Sequence, residues 1–288
     1  MNAQRPSKNE ARAAAREAAR SIQAQQGQRA RRNKILVQGG LGLLAAGVIV
    51  AIAAVMMTAF KPAGPGPLNM GSDGIRIGTG LVAATTDAIP ADGTPTAQPV
   101  NADGVVEITI FLDYLCPICG EFEAENGDVI RDLIESGAAT VEFRPLAILN
   151  NQSAGTQYST RSANAAACVA NYSPNNYFEF NDALFANQPA EGGPGLTDEE
   201  LIALAETAGV ASGTIDNCVT GEEFKAWTKA ATERALSGTF AGNNFAIDNV
   251  TGTPTVLIDG EHYQYSYPFN KDEFLQAVME AAGQDFSN

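Results

Sequence analysis

The sequence predicts an α/β fold in which a strand–helix–strand unit is broken by a long all-helical insertion, with one apolar helix ahead of the folded region. Three observations carry this prediction. Residues 105–112, VVEITIFL, alternate and are β-branched, and a helical and then a second strand-like run follow them. Residues 158–239 hold only segments of helical period before strand-like residues return near the end. Residues 35–60 carry no charge at all and are long enough to cross a bilayer as one helix.

The charge pattern explains how those parts are arranged. Residues 1–34 hold nine Lys and Arg against two acids, and residues 61–288 hold nine against 31, for a net charge of −15. Positive charge just before an apolar span, and almost none just after it, places the N-terminus in the cytoplasm and everything beyond residue 61 outside. The expected location is therefore the cell membrane, with a single pass. A cleaved signal peptide is the rival reading, but its apolar stretch is normally shorter, and the small-residue triplet Ala51-Ile52-Ala53 lies inside the run. An uncleaved anchor is the preferred expectation. The basic segment EARAAAREAAR at residues 10–20 reads as a solvated topogenic helix. So acidic an outer portion would repel phosphates, and no nucleic-acid partner is expected.

Residues 61–103 are rich in Pro, Gly, Ala and Thr and read as an extracytoplasmic linker. Within them, residues 74–85, GIRIGTGLVAAT, suggest a short hairpin packed on the domain that follows. That domain is expected over residues 104–157 and 240–288, with the helical insertion at 158–239 between its halves. After the first strand, a helix is predicted from Pro117 to about Ser136 and stopped by Gly137. Residues 139–149 form the next strand. The insertion holds several helices, one of which starts at the capping signal Thr197-Asp198-Glu199-Glu200. TPTVLIDG and EHYQYSY then form a hairpin around Asp259-Gly260, and a last helix runs over about 271–282.

The four cysteines, Cys116, Cys119, Cys168 and Cys218, carry the chemistry. An even number outside the cytoplasm suggests disulfides. A zinc ribbon needs a second close pair, whereas Cys168 and Cys218 stand far apart and His262 is the lone histidine; no metal is expected. In Cys-Pro-Ile-Cys, Cys116 falls at a helix N-cap and Pro117 at the first helical position. Helix N-terminal amides favour a thiolate on Cys116, which stabilises the reduced pair and makes the disulfide a better oxidant. A structural staple is the bland alternative, but so small a ring removes little unfolded-state entropy. Cys168 and Cys218 read the other way. A bridge between them would close a loop of some fifty residues and stabilise the fold by about 4 kcal/mol in the chain-entropy description, so that pair is read as structural.

The strand leading into DYLCPICGEFE, the stretches NAAACVANY and YFEFNDALFANQ, and GTPTVLIDG together resemble the DsbA-like thiol:disulfide oxidoreductases, in particular membrane-anchored, actinobacterial-type members with a second disulfide. The resemblance covers about residues 104–282. It implies a thioredoxin fold interrupted by a helical domain, with Cys116 the attacking thiol and Cys119 the resolving one. It also implies that Thr253 and Pro254 form a cis-proline loop that faces the pair and meets the substrate backbone. Two positions depart from the family pattern. Ile118 stands between the cysteines where the strongest oxidants carry a histidine, and Ile110 stands where many relatives bear a buried acid. Asp113, Glu107 and Glu121 are nearby candidates for the proton of Cys119. Trp227, Phe240 and the aromatic run at 262–269 read as packing rather than as a peptide groove.

The expected function is a membrane-anchored oxidoreductase that introduces disulfides into secreted or cell-envelope proteins, with no bound cofactor. By the resemblance, a quinone-linked membrane reductase of the vitamin K epoxide reductase-like or DsbB-like type would reoxidise it. A disulfide isomerase or a reductant of extracytoplasmic thiols is the alternative. A non-catalytic membrane-tethered chaperone or adaptor is a third reading.

Overall fold

The computed structural model describes residue 31 and residues 47–50, 64–241 and 245–285. The basic tail expected at 1–34 and the span expected at 35–60 lie outside these residues, except for residue 31 and residues 47–50, which are helical. Among the described residues, no helix is long and apolar enough to cross a membrane. The chain divides into two compact units, Met1–Pro62 and Ala63–Asn288, and the second holds the fold that follows.

Among the described residues, six strands make one sheet: β1 (Ile75–Gly78), β2 (Val82–Ala83), β3 (Val106–Leu112), β4 (Ala139–Pro145), β5 (Thr255–Ile258) and β6 (Glu261–His262). Their spatial order is β2-β1-β4-β3-β5-β6. Only β3 and β4 are parallel, joined by the crossover helix α1 (Pro117–Glu135); every other pairing is antiparallel. Parallel neighbours need such a crossover, and this one carries the cysteine pair at its start. Gly137, at φ 77°, takes the left-handed conformation that ends the helix and turns the chain into β4.

The alternation of β3 sorts its residues between two faces. Val106, Ile108, Ile110 and Leu112 pack with Phe122, Ile130 and Ile134 of α1 and with Phe274 and Val278 of the last helix, α7 (Lys271–Asp285). Phe111 and Leu257 face the other way, into a smaller cluster with Leu146, Ala235 and Val250. Beside that cluster Arg144 is buried, with its guanidinium 5.3 Å from the Phe111 ring and 5.1 Å from that of Phe245 and its Nη2 paired with Glu142 at 3.0 Å.

Between β4 and β5 lie α2 (Tyr158–Tyr172), α3 (Tyr177–Ala186), α4 (Asp198–Thr207), α5 (Asp216–Thr220) and α6 (Lys225–Ser237). Helix α2 is buried almost all round, its alanines letting the neighbouring helices approach closely. The capping box expected at Thr197 is present in full, with Glu200 returning a bond to the Thr197 backbone. A disulfide joins Cys168 of α2 to Cys218 of α5, with Cα atoms 5.9 Å apart. Trp227 is core, and Phe240 packs on Phe111 and Phe245.

Three expectations need correction. Residues 64–103 are not a linker: they belong to the folded unit, and Met70, Ile75 and Ile77 are among its most buried side chains. Strand β1 pairs with β4 through Ile75, Arg76 and Ile77, and the suggested hairpin is its pairing with β2. Asp73 and Arg234 clamp the segment with two bonds of 2.7 Å, and Arg76 pairs with Glu107 at 2.8 Å. The composition is loop-like because several of its backbone donors are met by side chains or loop carbonyls rather than by a ladder: Leu68 by Asn171, Gly71 by Thr86, Ala83 by Asn175 and Thr96 by the Gly71 carbonyl. Ile77→Ala is therefore expected to cost about 2–5 kcal/mol in denaturant unfolding, the price of a core cavity; a surface linker would lose almost nothing.

The second strand also stops at Pro145, which has no amide hydrogen to continue a ladder, so residues 146–149 lie beyond it. The second arm of the last hairpin is only Glu261–His262, because beyond Tyr263, whose N–H still bonds Val256 O at 2.9 Å, residues 264–270 leave the sheet as an aromatic strap that crosses to α1. In that strap the Tyr267–Pro268 peptide is cis, Tyr267 donates to Glu121 at 2.6 Å, and Phe269 meets Phe122 edge-on at 5.4 Å.

Candidate active site

The turn between β3 and α1 is built by Asp113. One of its carboxylate oxygens accepts from Leu115 N at 2.9 Å and the other from Leu149 N at 2.9 Å, while its carbonyl accepts from Cys116 N at 2.9 Å. These bonds set Cys116 at the N-cap in an extended conformation, with Pro117 as the first helical residue. The first intrahelical bond then runs from Gly120 N to Cys116 O at 3.2 Å.

Cys116 and Cys119 are both free thiols in this structure and sit one helical turn apart. Their environments differ. Cys116 is 6% exposed and its Sγ donates to Thr253 O at 3.2 Å. Cys119 is 2% exposed behind it. A hydrogen bond from the Cys119 thiol, helped by the Thr253 side chain and the amides of Cys119 and Ile118, draws the Cys116 pKa from 9.0 down to about 6 against the upward push of burial. Burial, and the bond to Cys116, hold Cys119 well above the ordinary thiol range.

The Thr253–Pro254 peptide is cis, and the Thr253 carbonyl meets Cys116 directly. Tyr265 supports this loop by donating to Pro254 O at 3.3 Å.

The acids separate by position. Asp113 is wholly buried and its pKa is raised by that burial, but both its oxygens are engaged in shaping the turn. Glu107 lies on β3 and pairs with Arg76; Glu121 is exposed and accepts from Tyr267. A buried carboxyl that sequence reasoning missed, Glu123, lies one turn beyond Cys119 on α1 and accepts from Asn181 at 3.0 Å. Burial, then Asp182 beside it, raises its pKa well above the usual carboxylate range. Gln188, between α3 and α4, was also missed: its Nε2 donates to Tyr114 O at 3.1 Å and to Cys116 O at 2.8 Å. A polar residue in a loop gives no local sign that it will fold back onto a turn 72 positions away.

The asymmetry has a direct consequence for pH dependence. A thiol whose folded pKa is lowered stabilises the reduced fold fully above the ordinary thiol value of 9.0, and this contribution is lost as pH falls through about 6. Iodoacetamide is therefore expected to label reduced Cys116 with a midpoint near pH 6, while Cys119 stays unlabelled to far higher pH. Mass spectrometry of labelled peptides across pH checks both.

The family model described as Thioredoxin matches residues 101–279. Among solved structures, oxidised Mtb DsbA superposes with a TM-score of 0.55 at 27% identity, covering 73% of this chain and 93% of that one. Reduced DsbG from Mycobacterium tuberculosis gives 0.56 at 28% identity, covering 73% and 88%. A curated relative, the serine/threonine-protein kinase PknE of Mycobacterium tuberculosis, is 34% identical over 154 residues, or 52% of this chain. That match spans only 26% of the kinase.

Proposed function

The chain belongs to the thioredoxin family as a DsbA-like thiol:disulfide oxidoreductase, and on that premise we propose that it introduces disulfides into proteins outside the cytoplasmic membrane. The observation that carries this reading is the split between the two thiols: Cys116, the less deeply buried, lowered to about 6, and Cys119 raised far above it. Cys116 is the sulfur that exchanges with substrate, attacked when the pair is oxidised and attacking when it is reduced, and Cys119 is the resolving thiol.

The oxidised enzyme holds a Cys116–Cys119 disulfide. A substrate thiolate attacks Cys116 Sγ, forming a mixed disulfide as the S–S bond breaks and Cys119 leaves with the electron pair and takes up a proton. The raised Cys119 pKa favours that protonation. A second substrate thiolate then attacks the substrate sulfur of the mixed disulfide, and Cys116 leaves as a stabilised thiolate. Two electrons pass to the enzyme and the substrate gains one disulfide. Thr253 and Pro254 line the approach, and their backbone is suited to pairing with an extended substrate segment.

Turnover needs a two-electron acceptor, which we assign to a quinone-linked membrane reductase of the vitamin K epoxide reductase-like or DsbB-like type. The uncharged run at 35–60, with basic residues on its N-terminal side only, supports a single-pass anchor with the enzyme outside. Such an anchor would hold enzyme and acceptor in one plane and raise their effective concentration.

The test is the reduction potential of the Cys116–Cys119 pair. Lowering one thiol from 9.0 to about 6 favours the reduced form at pH 7 roughly tenfold, or about 30 mV for a two-electron couple. The expected value lies on the oxidising side of about −270 mV, toward about −120 mV. A value at or below about −270 mV would instead favour a reductant of extracytoplasmic thiols.

A further inference from the structure

The helical insertion touches the reactive turn through Gln188. Both groups that its Nε2 reaches, Tyr114 O at 3.1 Å and Cys116 O at 2.8 Å, are carbonyl oxygens, so only the amino end of the amide fits there. The oxygen end lies over Gly120, where an added Cβ would overlap Gln188 Oε1. Gln188 is itself fixed, since its backbone N–H donates to Phe185 O at 3.1 Å and the Phe185 ring packs on Tyr114 at 5.1 Å. The Cys116 carbonyl therefore accepts two donors, Gly120 N and Gln188 Nε2, which uses both of its lone pairs.

We propose that Gln188 is a positioning residue for the Cys116 thiolate, through which the helical insertion sets the reactivity of the pair. The proposal rests on the oxidoreductase reading above. Two effects act in the same direction. The donated N–H offsets the negative end of the carbonyl dipole on the residue that carries the thiolate. The two bonds also clamp residues 114–116 at the start of α1, the geometry in which the Ile118 and Cys119 amides converge on the Cys116 sulfur. Gly120 is part of the device, because only a residue without a side chain leaves room for the amide.

The experiment measures, in the full chain, the pH profile of Cys116 alkylation and the thiol–disulfide equilibrium with glutathione. The variants are Gln188→Ala, Gln188→Glu, Gly120→Ala and the Gly120→Ala/Gln188→Ala double. Loss of the donor is expected to move the alkylation midpoint upward and the glutathione equilibrium roughly threefold to tenfold away from the reduced enzyme. Gln188→Glu, whose carboxylate offers no donor and faces two carbonyls, should move both further. Gly120→Ala should reproduce Gln188→Ala, and the double variant should show no additional shift. If Gln188→Glu does not fold, Gln188→Asn, one methylene too short to reach, gives the same readout.

Unchanged midpoints and equilibria in folded Gln188 variants would overturn the proposal, as would effects of Gly120→Ala and Gln188→Ala that simply add. A wild-type chain whose thiols neither exchange with glutathione nor titrate below the ordinary thiol range would overturn the oxidoreductase reading beneath it.

Discussion

A Cys119→Ser chain is expected to accumulate mixed disulfides when mixed with disulfide-bonded substrate proteins, the Cys116 thiolate attacking the substrate S–S bond and releasing the other substrate sulfur as a thiolate, whereas a Cys116→Ser chain should accumulate none and oxidise a reduced peptide no faster than background. The asymmetry follows from the two environments. Of the two sulfur-bearing residues Cys116 is the less deeply buried, at 6% against 2% exposure for Cys119. With Cys116 joined to substrate and no Cys119 to return the attack, the intermediate can be resolved only from the substrate side and persists longer than in the unaltered chain. Serine is the right replacement because the leading cause of the lowered Cys116 pKa is the hydrogen bond from the Cys119 side chain, which a hydroxyl can still donate. Cys119→Ala should instead raise that pKa toward the ordinary value of 9.0 and weaken trapping at neutral pH. Non-reducing gels and mass spectrometry of the adducts read the outcome. Trapping by neither variant would leave both cysteines inert and favour the adaptor reading.

The reactive pair was legible because its physics is local. Cys-x-x-Cys after an alternating run, with Pro at the second position, specifies an N-cap and a first helical turn from four adjacent residues. The cis bond at Thr253–Pro254 was reached by resemblance to a family, since nothing within those two residues separates cis from trans. Arg76 shows what stayed hidden. A charged residue between Ile75 and Ile77 in a Pro- and Gly-rich stretch looks like linker, and it is buried only because Glu107 and the Pro99 carbonyl meet it there. Gln188 and Glu123 were hidden for the same reason. Their partners lie across the boundary between helical insertion and sheet domain, at positions 72 and 58 residues away. Ile118 supplies no cation, and Cys119, Thr253 and two backbone amides lower the Cys116 pKa without one.

Removing the second disulfide should lower stability sharply and leave the chemistry intact. The Cys168→Ala/Cys218→Ala chain is expected to lose about 4 kcal/mol of unfolding free energy, because the bridge closes a separation of 50 residues in the unfolded ensemble. The site also explains why the bridge is not a second reactive pair. Cys168 is 0% and Cys218 3% exposed, and Asn164 sits between the two helices, donating toward Cys218 O at 3.4 Å while accepting from Phe224 N at 2.8 Å. No substrate thiolate reaches sulfurs buried in that way without local unfolding. Denaturant unfolding should therefore show a lower midpoint, while the alkylation profile of Cys116 keeps its midpoint near pH 6. If the double variant held its stability and instead slowed substrate oxidation, the bridge would be passing electrons rather than tying α2 to α5, and the division of the four cysteines into one reactive and one structural pair would fail.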